Sequence, residues 1–301
     1  MGRFKHLISI EDLTKDDIIY ILEKAEEFES VARGEIKNRI LEGKTLANLF
    51  FEPSTRTRVS FEIAMKKLGG DVINLTTQEA ISMAKGETLA DTIKIMSKYV
   101  DVIVLRHPLV GAARYAAENS EVPIINAGDG AGQHPTQTLL DLYTIRKESS
   151  LEKLKIALLG DLKYSRTIHS LIKALVLFDA EIYLVSPQSL RLPEEFLEEI
   201  KGNVQYASLE DIIDKVNVLY VTRIQKERFP DEEEYKKVAG SYKVDLRTLE
   251  RAREDLIVMH PLPRIDEISC EVDKTVHAKY FKQAFYGIPV RMAILVEVLS
   301  N

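Results

Sequence analysis

The sequence contains a single cysteine, Cys270, and no segment with the length and apolarity of a membrane span. One cysteine cannot form a disulfide within the chain, which is typical of proteins from a reducing compartment. The first residues lack the apolar core of a secretory signal. No stretch approaches the roughly 18 apolar residues of a transmembrane helix. We therefore expect a cytoplasmic protein that has no membrane partner.

Excess positive charge is also absent. The 301 residues include 41 lysines and arginines against 47 aspartates and glutamates, which gives a formal net charge of −6. Proteins that bind the phosphate backbone of nucleic acids carry basic patches and have a high isoelectric point, so we expect no nucleic-acid partner. Hydrophobic residues make up 45% of the chain. This fraction excludes wholesale disorder, and the length suggests about two domains.

Short apolar runs alternate with helical patterns twice along the chain. The predicted strands cover 45–51, 71–75, 101–106 and 122–126 in the first half, and 155–160, 181–186, 216–222 and 256–259 in the second. The predicted helices cover 14–34, 55–68, 89–98, 135–146, 165–178, 193–200 and 290–299. Strands that alternate with helices form parallel sheets. Because polar residues at 147–152 mark a boundary, we predict an α/β protein with two parallel-sheet domains, 1–150 and 151–301.

The common cofactor and metal motifs are missing. The strand over 155–160 leads into Gly-Asp-Leu-Lys rather than G-x-G-x-x-G, and the chain has neither a P-loop motif nor G-x-S-x-G. The glycine-rich segment 128–132 follows a strand, but a turn before the next helix explains it better than a dinucleotide site. The six histidines show no H-x-x-x-H spacing. We therefore expect neither a cofactor nor a metal site.

The segment F-F-E-P-S-T-R-T-R at 50–58 carries the strongest functional signal. It places three hydroxyl side chains and two arginines where a buried strand ends and a helix begins. The first N–H groups of a helix have no intrahelical partner and carry partial positive charge, so hydroxyl and guanidinium groups there form a phosphate site without a glycine loop. Ordinary capping by Ser54 or Thr55 is the alternative, but it accounts for only one of these residues.

Other candidate residues follow further strands, where α/β folds bind ligands. In the first half these are Arg106, which ends a strand, and H-P-T-Q from His134 to Gln137, which opens a helix. In the second half, Arg166 and Arg223 each follow a strand, and each can bind a carboxylate in bidentate fashion. The alternative for each arginine is an ordinary surface position, and the alternative for His134 is packing in the core. The shared position of these residues at strand ends favours a common role.

Two further segments have a weaker signal. His-Pro-Leu-Pro-Arg at 260–264 follows a strand, and its two prolines make a rigid turn that either directs backbone carbonyls into a site or merely ends the strand. The segment 82–88 is a polar loop with Lys85 at its tip, and by itself it has no predicted role. Lys226, within Q-K-E-R at 225–228, is expected on a solvated face.

Together these motifs resemble the aspartate/ornithine carbamoyltransferase family, from about Phe4 to the carboxyl end. The motifs that carry the resemblance occur in the order FFEPSTRTRVSFE, KGETLADT, RHP, HPTQTLLDL, DLKYSRT, TRIQKER and HPLPR. S-T-R-T-R with H-P-x-Q is specific to carbamoyltransferases, and the motifs of the second half point to the branch that uses aspartate. The resemblance implies a carbamoyl-phosphate domain, then an amino-acid domain, with bridging terminal helices and a last helix over about 287–301 that packs on the first domain.

The resemblance also implies an activity and a set of site residues. The reaction is transfer of a carbamoyl group from carbamoyl phosphate to L-aspartate, the committed step of pyrimidine synthesis, by a one-carbon transferase without a cofactor. Carbamoyl phosphate is assigned to Ser54, Thr55, Arg56, Thr57, Ser82, Arg106, His134, Gln137, Leu262 and Pro263. L-Aspartate is assigned to Lys85, Arg166, Arg223 and Gln225. The implied catalytic residues are Arg56, Thr57, Lys85, Arg106 and His134.

The resemblance makes two further statements about assembly and motion. Ser82 and Lys85 would reach into the site of a neighbouring subunit, which implies a homotrimer with shared active sites. Glu52 and Arg228 match positions that brace a closed form through ion pairs. The resemblance is compatible with free trimers and also with trimers joined to regulatory chains in an allosteric holoenzyme.

Two rival functions stay open at this point. An ornithine carbamoyltransferase would have to accept a cationic side chain, which Arg166 and Arg223 would repel, and that branch has a cysteine where this chain has Pro261. A catalytically silent carbamoyl-phosphate-binding subunit is the other rival. The motif positions that the chemistry needs are all filled, which argues against the silent subunit.

Overall fold

The computed structural model describes residues 2–76, 86–226, 229 and 231–300. The chain divides into two compact units, one formed by Met1–Tyr143 with Phe285–Asn301 and the other by Thr144–Ala284. Three residues of the predicted site, Ser82, Lys85 and Arg228, lie outside the described residues.

The first unit contains a parallel sheet. Its strands in the described part of the chain are Thr45–Phe50 (β1), Asp71–Thr76 (β2), Val102–His107 (β3) and Ile124–Asp129 (β4). They lie in the order β2-β1-β3-β4, and each neighbouring pair is parallel. β1, β3 and β4 are almost entirely buried. Their continuous apolar sequences are typical of strands in a sheet that is covered on both faces.

Helices connect these strands. Those described in the first unit are Lys15–Glu27 (α1), Glu29–Arg33 (α2), Thr55–Lys67 (α3), Leu89–Met96 (α4) and Ala112–Glu118 (α5). Pro135–Glu148 (α6) begins in this unit and ends in the second. α1 begins at a capping box, in which the Thr14 hydroxyl accepts a hydrogen bond from the Asp17 N–H and the Asp17 carboxylate accepts one from the Thr14 N–H.

The second unit contains another parallel sheet. Its described strands are Lys155–Leu159 (β5), Glu181–Val185 (β6), Asn203–Tyr206 (β7), Val218–Val221 (β8) and Ile257–Met259 (β9). Their order is β7-β6-β5-β8-β9, again with every pair parallel. Apolar side chains of β5, β8 and β9 pack into one buried cluster with Val244, Val272 and Tyr280. This cluster holds the carboxyl half of the chain to its sheet.

The helices of the second unit are shorter on average. Those in the described part of the chain are Arg166–Leu177 (α7), Glu194–Glu199 (α8), Leu209–Ile212 (α9), Glu232–Val238 (α10) and Leu246–Glu250 (α11). The last helix, Tyr280–Leu299 (α12), starts in the second unit and continues into the first. Short 3-10 turns lie at Ile10–Asp12, Gln188–Leu190 and Cys270–Lys274. No helix among the described residues is long and apolar enough to cross a membrane.

The predicted α/β class with two parallel sheets is confirmed, and the differences lie at particular elements. The predicted first helix divides at Phe28, which ends α1 and precedes α2. α12 starts at Tyr280, well before the predicted 290, and Pro289 lies within it. β7 was not predicted, since its sequence N-V-Q-Y is polar and its residues are only partly buried.

Both sheets reverse their strand order at one point. In the first sheet, β1 has β2 on one side and β3 on the other, so the reversal lies between β1 and β3. In the second sheet, the reversal lies between β5 and β8. Open α/β sheets bind ligands in the crevice outside the carboxyl ends of the strands at such a reversal. The fold therefore points to the loops after β1, β3, β5 and β8.

Gly160, the residue after β5, gives a test of this packing. Its φ is +125°, and a Cβ there would lie 2.4 Å from the Thr222 carbonyl oxygen. We expect Gly160→Ala to lower the free energy of unfolding by about 3 kcal/mol, because strain and overlap add. Gly240→Ala is the matched control, since Gly240 also has positive φ but nothing within 4 Å, and it should cost only about 1 kcal/mol.

The measurement is urea unfolding followed by circular dichroism, because the chain has no tryptophan. Equal losses of unfolding free energy in Gly160→Ala and Gly240→Ala would contradict the close approach of Gly160 to the Thr222 carbonyl.

Candidate active site

In the first unit, three candidate segments follow adjacent strands. The S-T-R-T-R segment follows β1, Arg106 lies near the end of β3, and H-P-T-Q follows β4. Phe50 of β1 is paired in register with Arg106 of β3, and the Phe51 N–H donates to the Arg106 carbonyl at 2.8 Å. The loop that carries the hydroxyl residues therefore begins directly beside Arg106, at the reversal of strand order.

The start of α3 offers hydrogen-bond donors. Ser54 occupies the N-cap position in an extended conformation, yet its side chain makes no capping hydrogen bond. Thr57 is buried, with 6% of its surface exposed, and Thr55 and Arg56 are exposed. The first N–H groups of a helix have no partner within the helix and carry partial positive charge. Simple capping by Ser54 is thus excluded, and the Ser54 hydroxyl is available to an anion at this helix end.

Arg106 is held by acceptors on two neighbouring segments. Its Nη2 donates to Glu52 Oε1 at 2.6 Å, and its Nη1 donates to the Ala127 carbonyl at 3.2 Å. The Arg106 side chain is only 11% exposed. Because Ala127 lies on the neighbouring β4, these contacts fix the guanidinium across the ends of adjacent strands.

The H-P-T-Q segment opens α6 from a buried position. His134 is 4% exposed, and its Nδ1 lies 3.4 Å from the Thr136 hydroxyl. Gln137 is 9% exposed, and its Nε2 donates to Asp141 Oδ1 at 2.8 Å. Asp141 lies one turn further along α6 and is fully buried. The Gln137 amide is therefore oriented by a carboxylate on its own helix.

The glycine-rich segment before α6 is a tight turn, as predicted. Gly130 has φ +52°, and a Cβ there would lie 2.6 Å from the Pro108 carbonyl oxygen. The Asp129 carboxylate accepts hydrogen bonds from the Gly111 and Gln133 N–H groups, at 2.9 and 2.8 Å. Asp129 thus stabilises the turn that follows it and links this turn to the loop after β3.

In the second unit, Asp161 joins the loops that follow β5 and β8. It is fully buried, and its two carboxylate oxygens accept hydrogen bonds from the Tyr164 N–H at 3.0 Å and the Gln225 N–H at 3.3 Å. Burial raises the pKa of Asp161, while the backbone hydrogen bonds and the charge of Arg223 act in the opposite direction. Asp161 therefore ties the loop before Arg166 to the loop that contains Arg223.

The polar candidates of the second unit lie on these two loops. Arg166 is the first residue of α7 and is 7% exposed. Gln225 Nε2 donates to the Tyr164 carbonyl at 3.2 Å, which is a second link between the loops. Arg223 is half-buried, and it lines a small pocket together with Tyr242. The arrangement presents two guanidinium groups and a carboxamide at the β5–β8 reversal.

The turn H-P-L-P-R is fixed from within by two buried residues. His260 Nδ1 accepts a hydrogen bond from the Leu262 N–H at 2.8 Å, so the proton of the neutral ring lies on Nε2, which donates to Glu267 Oε1 at 2.6 Å. Glu267 Oε2 accepts from the Ile265 and Asp266 N–H groups, at 3.1 and 3.2 Å. Burial lowers the pKa of His260, in keeping with the neutral ring. The peptide groups around Leu262 therefore have one orientation.

Three buried carboxylates that position these candidates were missed from the sequence: Asp141, Asp161 and Glu267. Asp161 had the clearest signal, because it directly follows the glycine that ends a predicted strand. Asp141 stands four residues after Gln137, the spacing at which helical side chains meet. Glu267 lies outside every motif, and only the folded turn brings it to His260. Ser82, Lys85 and Arg228 stay predictions, since they fall in the undescribed parts of the chain.

Comparison with known proteins finds a match for each half of the chain. Residues 5–147 match the carbamoyl-P binding domain of aspartate/ornithine carbamoyltransferases, and residues 152–298 match the Asp/Orn binding domain. The chain is 70% identical to the aspartate carbamoyltransferase catalytic subunit of Archaeoglobus fulgidus, over 98% of this chain and 99% of that one.

Solved structures show the same similarity. The catalytic subunit of Methanocaldococcus jannaschii aspartate transcarbamoylase superposes with a TM-score of 0.90 at 56% identity, over 99% of this chain and 98% of that one. The Trypanosoma cruzi aspartate transcarbamoylase, in complex with N-(phosphonacetyl)-L-aspartic acid, superposes with a TM-score of 0.92 at 42% identity. That alignment covers 98% of this chain and 95% of the other.

The Glu267 contacts predict a specific cost of removing one acceptor. Both Glu267 oxygens accept hydrogen bonds, whereas glutamine has a single acceptor oxygen. We expect Glu267→Gln to lower the free energy of unfolding by about 2 kcal/mol, because a buried donor loses its partner. Asp266→Asn is the control: Asp266 is exposed, so the change should cost less than about 0.5 kcal/mol.

Urea unfolding of both variants provides the measurement. If Glu267→Gln is no less stable than the Asp266→Asn control, then His260 and Glu267 do not fix the turn in the way described.

Proposed function

The chain belongs to the aspartate/ornithine carbamoyltransferase family, and from that premise we propose how its residues transfer the carbamoyl group of carbamoyl phosphate to L-aspartate. The products are N-carbamoyl-L-aspartate and phosphate, and the reaction belongs to pyrimidine biosynthesis. One observation carries the proposal: the uncapped start of α3 lies beside Arg106 at the β1–β3 reversal. A dianionic phosphate and an adjacent carbonyl oxygen need that combination of donors.

The phosphate group binds at the start of α3. The Ser54 hydroxyl, the hydroxyls of Thr55 and Thr57 and the Arg56 guanidinium supply side-chain donors, and the first N–H groups of the helix supply backbone donors. The absence of a capping hydrogen bond from Ser54 supports this role. The partial positive charge of the helix end stabilises the phosphate before and after transfer. Ser82 is proposed to add a further contact.

The chemistry takes place at the carbonyl carbon. The aspartate amine attacks this carbon, the C–O bond to the phosphate breaks, and negative charge builds on the carbonyl oxygen in between. Arg106, His134 and Thr57 donate to that oxygen in our proposal. Losing one donor from such a preorganised site typically costs about 3 kcal/mol of transition-state stabilisation. The fixed position of Arg106, between Glu52 and the Ala127 carbonyl, supports its role.

The carbamoyl amino group and the aspartate carboxylates are assigned to Gln137, to Lys85 and to residues of the second unit. Gln137 and the backbone carbonyls of residues 261–263, chiefly Leu262, hold the carbamoyl amino group, next to Pro263. Arg166, Arg223 and Gln225 bind the aspartate carboxylates, with Lys85 as a further cation. The leaving phosphate takes the proton of the attacking amine, so the proposal needs neither a protein base nor a cofactor. Holding both substrates in place supplies much of the barrier reduction.

The proposal extends to assembly and location. The chain forms a homotrimer in which Ser82 and Lys85 serve the site of a neighbouring subunit, either alone or with regulatory chains. Glu52 and Arg228 form ion pairs in a closed state. The single cysteine supports a cytoplasmic location, where thiols stay reduced.

An assay with both amino acids tests the function. Incubation with carbamoyl phosphate and equal L-aspartate or L-ornithine should yield N-carbamoyl-L-aspartate as the main product, because Arg166 and Arg223 attract carboxylates and repel an ammonium group. Product is identified by chromatography and mass spectrometry. Citrulline as the main product would establish the ornithine branch, and no product from either amino acid would establish a silent binding subunit.

Two variants serve as controls for that assay. Arg223→Ala should raise the KM for aspartate at least tenfold, with little change in the KM for carbamoyl phosphate, since a charge-assisted bidentate contact is lost. Lys226→Ala should change neither constant, because Lys226 is exposed and pairs with Glu232 at the surface. Equal weakening of both substrates in Arg223→Ala would contradict the assignment of aspartate to this loop.

Complementation tests the shared site. Lys85→Ala and Arg56→Ala chains should each be nearly inactive, and trimers reassembled at random from an equal mixture should regain activity in about a quarter of their sites. The reason is that some sites then combine an intact Arg56 from one chain with an intact Lys85 from another. Inactive mixtures, in trimers whose exchange has been demonstrated by mass spectrometry, would contradict sharing.

A further inference from the structure

Asp141 sets the polarity of the Gln137 side-chain amide, that is, which of its NH2 group and its oxygen faces Asp141. A carboxylate has no proton to donate at neutral pH, so the group of Gln137 that faces Asp141 Oδ1, 2.8 Å away, must be the NH2 group. The amide oxygen of Gln137 then points away from Asp141. Among the described residues, this oxygen has no hydrogen-bond donor. This oxygen can therefore accept a hydrogen bond from a ligand at the start of α6.

A buried cation interacts electrostatically with Asp141. Arg291, on α12, is 3% exposed and interacts electrostatically with Asp141, which is fully buried. Burial lowers the pKa of Arg291 to about 10, so it stays charged at neutral pH, and Asp141 opposes that decrease. The Arg291 guanidinium also lies 5.1 Å from the centre of the Phe61 ring on α3.

The Arg291 guanidinium packs directly against the backbone of α12. A Cβ on Gly287 would lie 2.2 Å from Arg291 Nη1, so a larger residue at this position would displace the guanidinium. Arg291 thus contacts the helix whose start is the phosphate site and is coupled to the helix that carries Gln137. Burying two charges costs desolvation free energy, and removing one of them would leave the other without its compensating charge.

We propose that Asp141, with its charge balanced by Arg291, is a positioning residue that turns the Gln137 oxygen toward the amino group of carbamoyl phosphate. This inference rests on the proposed function, and it adds the source of selectivity for the acyl group. An acceptor at that point favours an amino group over a methyl group. Acetyl phosphate, which has methyl in place of amino, leaves the Gln137 oxygen without a donor.

Asp141→Asn tests the polarity directly. Arg291 will attract the oxygen of the introduced asparagine, so the NH2 group of that asparagine faces Gln137. Gln137 must then turn its own NH2 group toward the substrate. The ratio of the dissociation constants for acetyl phosphate and carbamoyl phosphate, measured by calorimetric titration, should fall about tenfold. Thr138→Val is the control, because the Thr138 hydroxyl is buried without a partner among the described residues, and the ratio should not change.

An exchange of the two groups restores the original polarity. In Gln137→Glu/Asp141→Asn, the new Asn NH2 group donates to the new carboxylate, whose second oxygen accepts from the carbamoyl amino group. The double variant keeps the net charge but moves the negative charge from position 141 to position 137, next to the ligand. This weakens both ligands alike, since both are acyl phosphates, so the ratio should return to within about threefold of wild type. Gln137→Met, which keeps Asp141 beside Arg291, has no acceptor and should show the low ratio.

The outcomes separate this inference from the proposed function. Wild-type protein that forms no carbamoyl aspartate contradicts the function itself. An active wild type whose Asp141→Asn variant loses affinity for both ligands in the same proportion contradicts the positioning role and leaves a structural one. If Asp141→Asn does not fold, the double variant decides: a ratio as low as that of Gln137→Met overturns the inference.

Discussion

The parallel pairing of β1 with β3 sets the position of the candidate residues in the first unit. It places Phe50 opposite Arg106, so the chain leaves β1 into the S-T-R-T-R segment beside a fixed guanidinium. Because β4 pairs with the other edge of β3, the Ala127 carbonyl also reaches Arg106. The second sheet repeats the arrangement at the β5–β8 reversal with Arg166 and Arg223. The reversal of strand order thus collects cations that lie far apart in a chain of net negative charge.

Buried carboxylates give these cations and amides their orientation. Asp141 turns the amide of Gln137, Asp161 ties two loops together, and Glu267 fixes the turn around Leu262. Each accepts hydrogen bonds from groups that would otherwise be mobile, and burial makes each contact stronger than it would be in water. The acidic balance of the sequence therefore does not oppose anionic substrates. Part of the negative charge is buried, where it positions the donors and acceptors that we propose bind them.

Much of this could be predicted from the sequence, because interior parallel strands are continuous apolar runs. β1 and β3 were located to within a residue or two, and the assignment of ligand sites to the loops after them stays a prediction. β7 was missed because it lies at a sheet edge and has a polar, half-exposed sequence. Contacts between distant segments could not be predicted from spacing. The coupling of Asp141 to Arg291 is of this kind, since the folded chain alone brings α12 to α6.

The most direct test of the account is a crystal structure of the chain with carbamoyl phosphate bound. The phosphate should lie at the start of α3, within hydrogen-bond distance of the Ser54 hydroxyl and the Thr57 N–H, with the carbonyl oxygen at the Arg106 guanidinium. Binding of the phosphate at the glycine turn after β4, or anywhere that leaves Ser54 and Arg106 without contact to the ligand, would contradict the central claim that the β1–β3 reversal holds the reacting group.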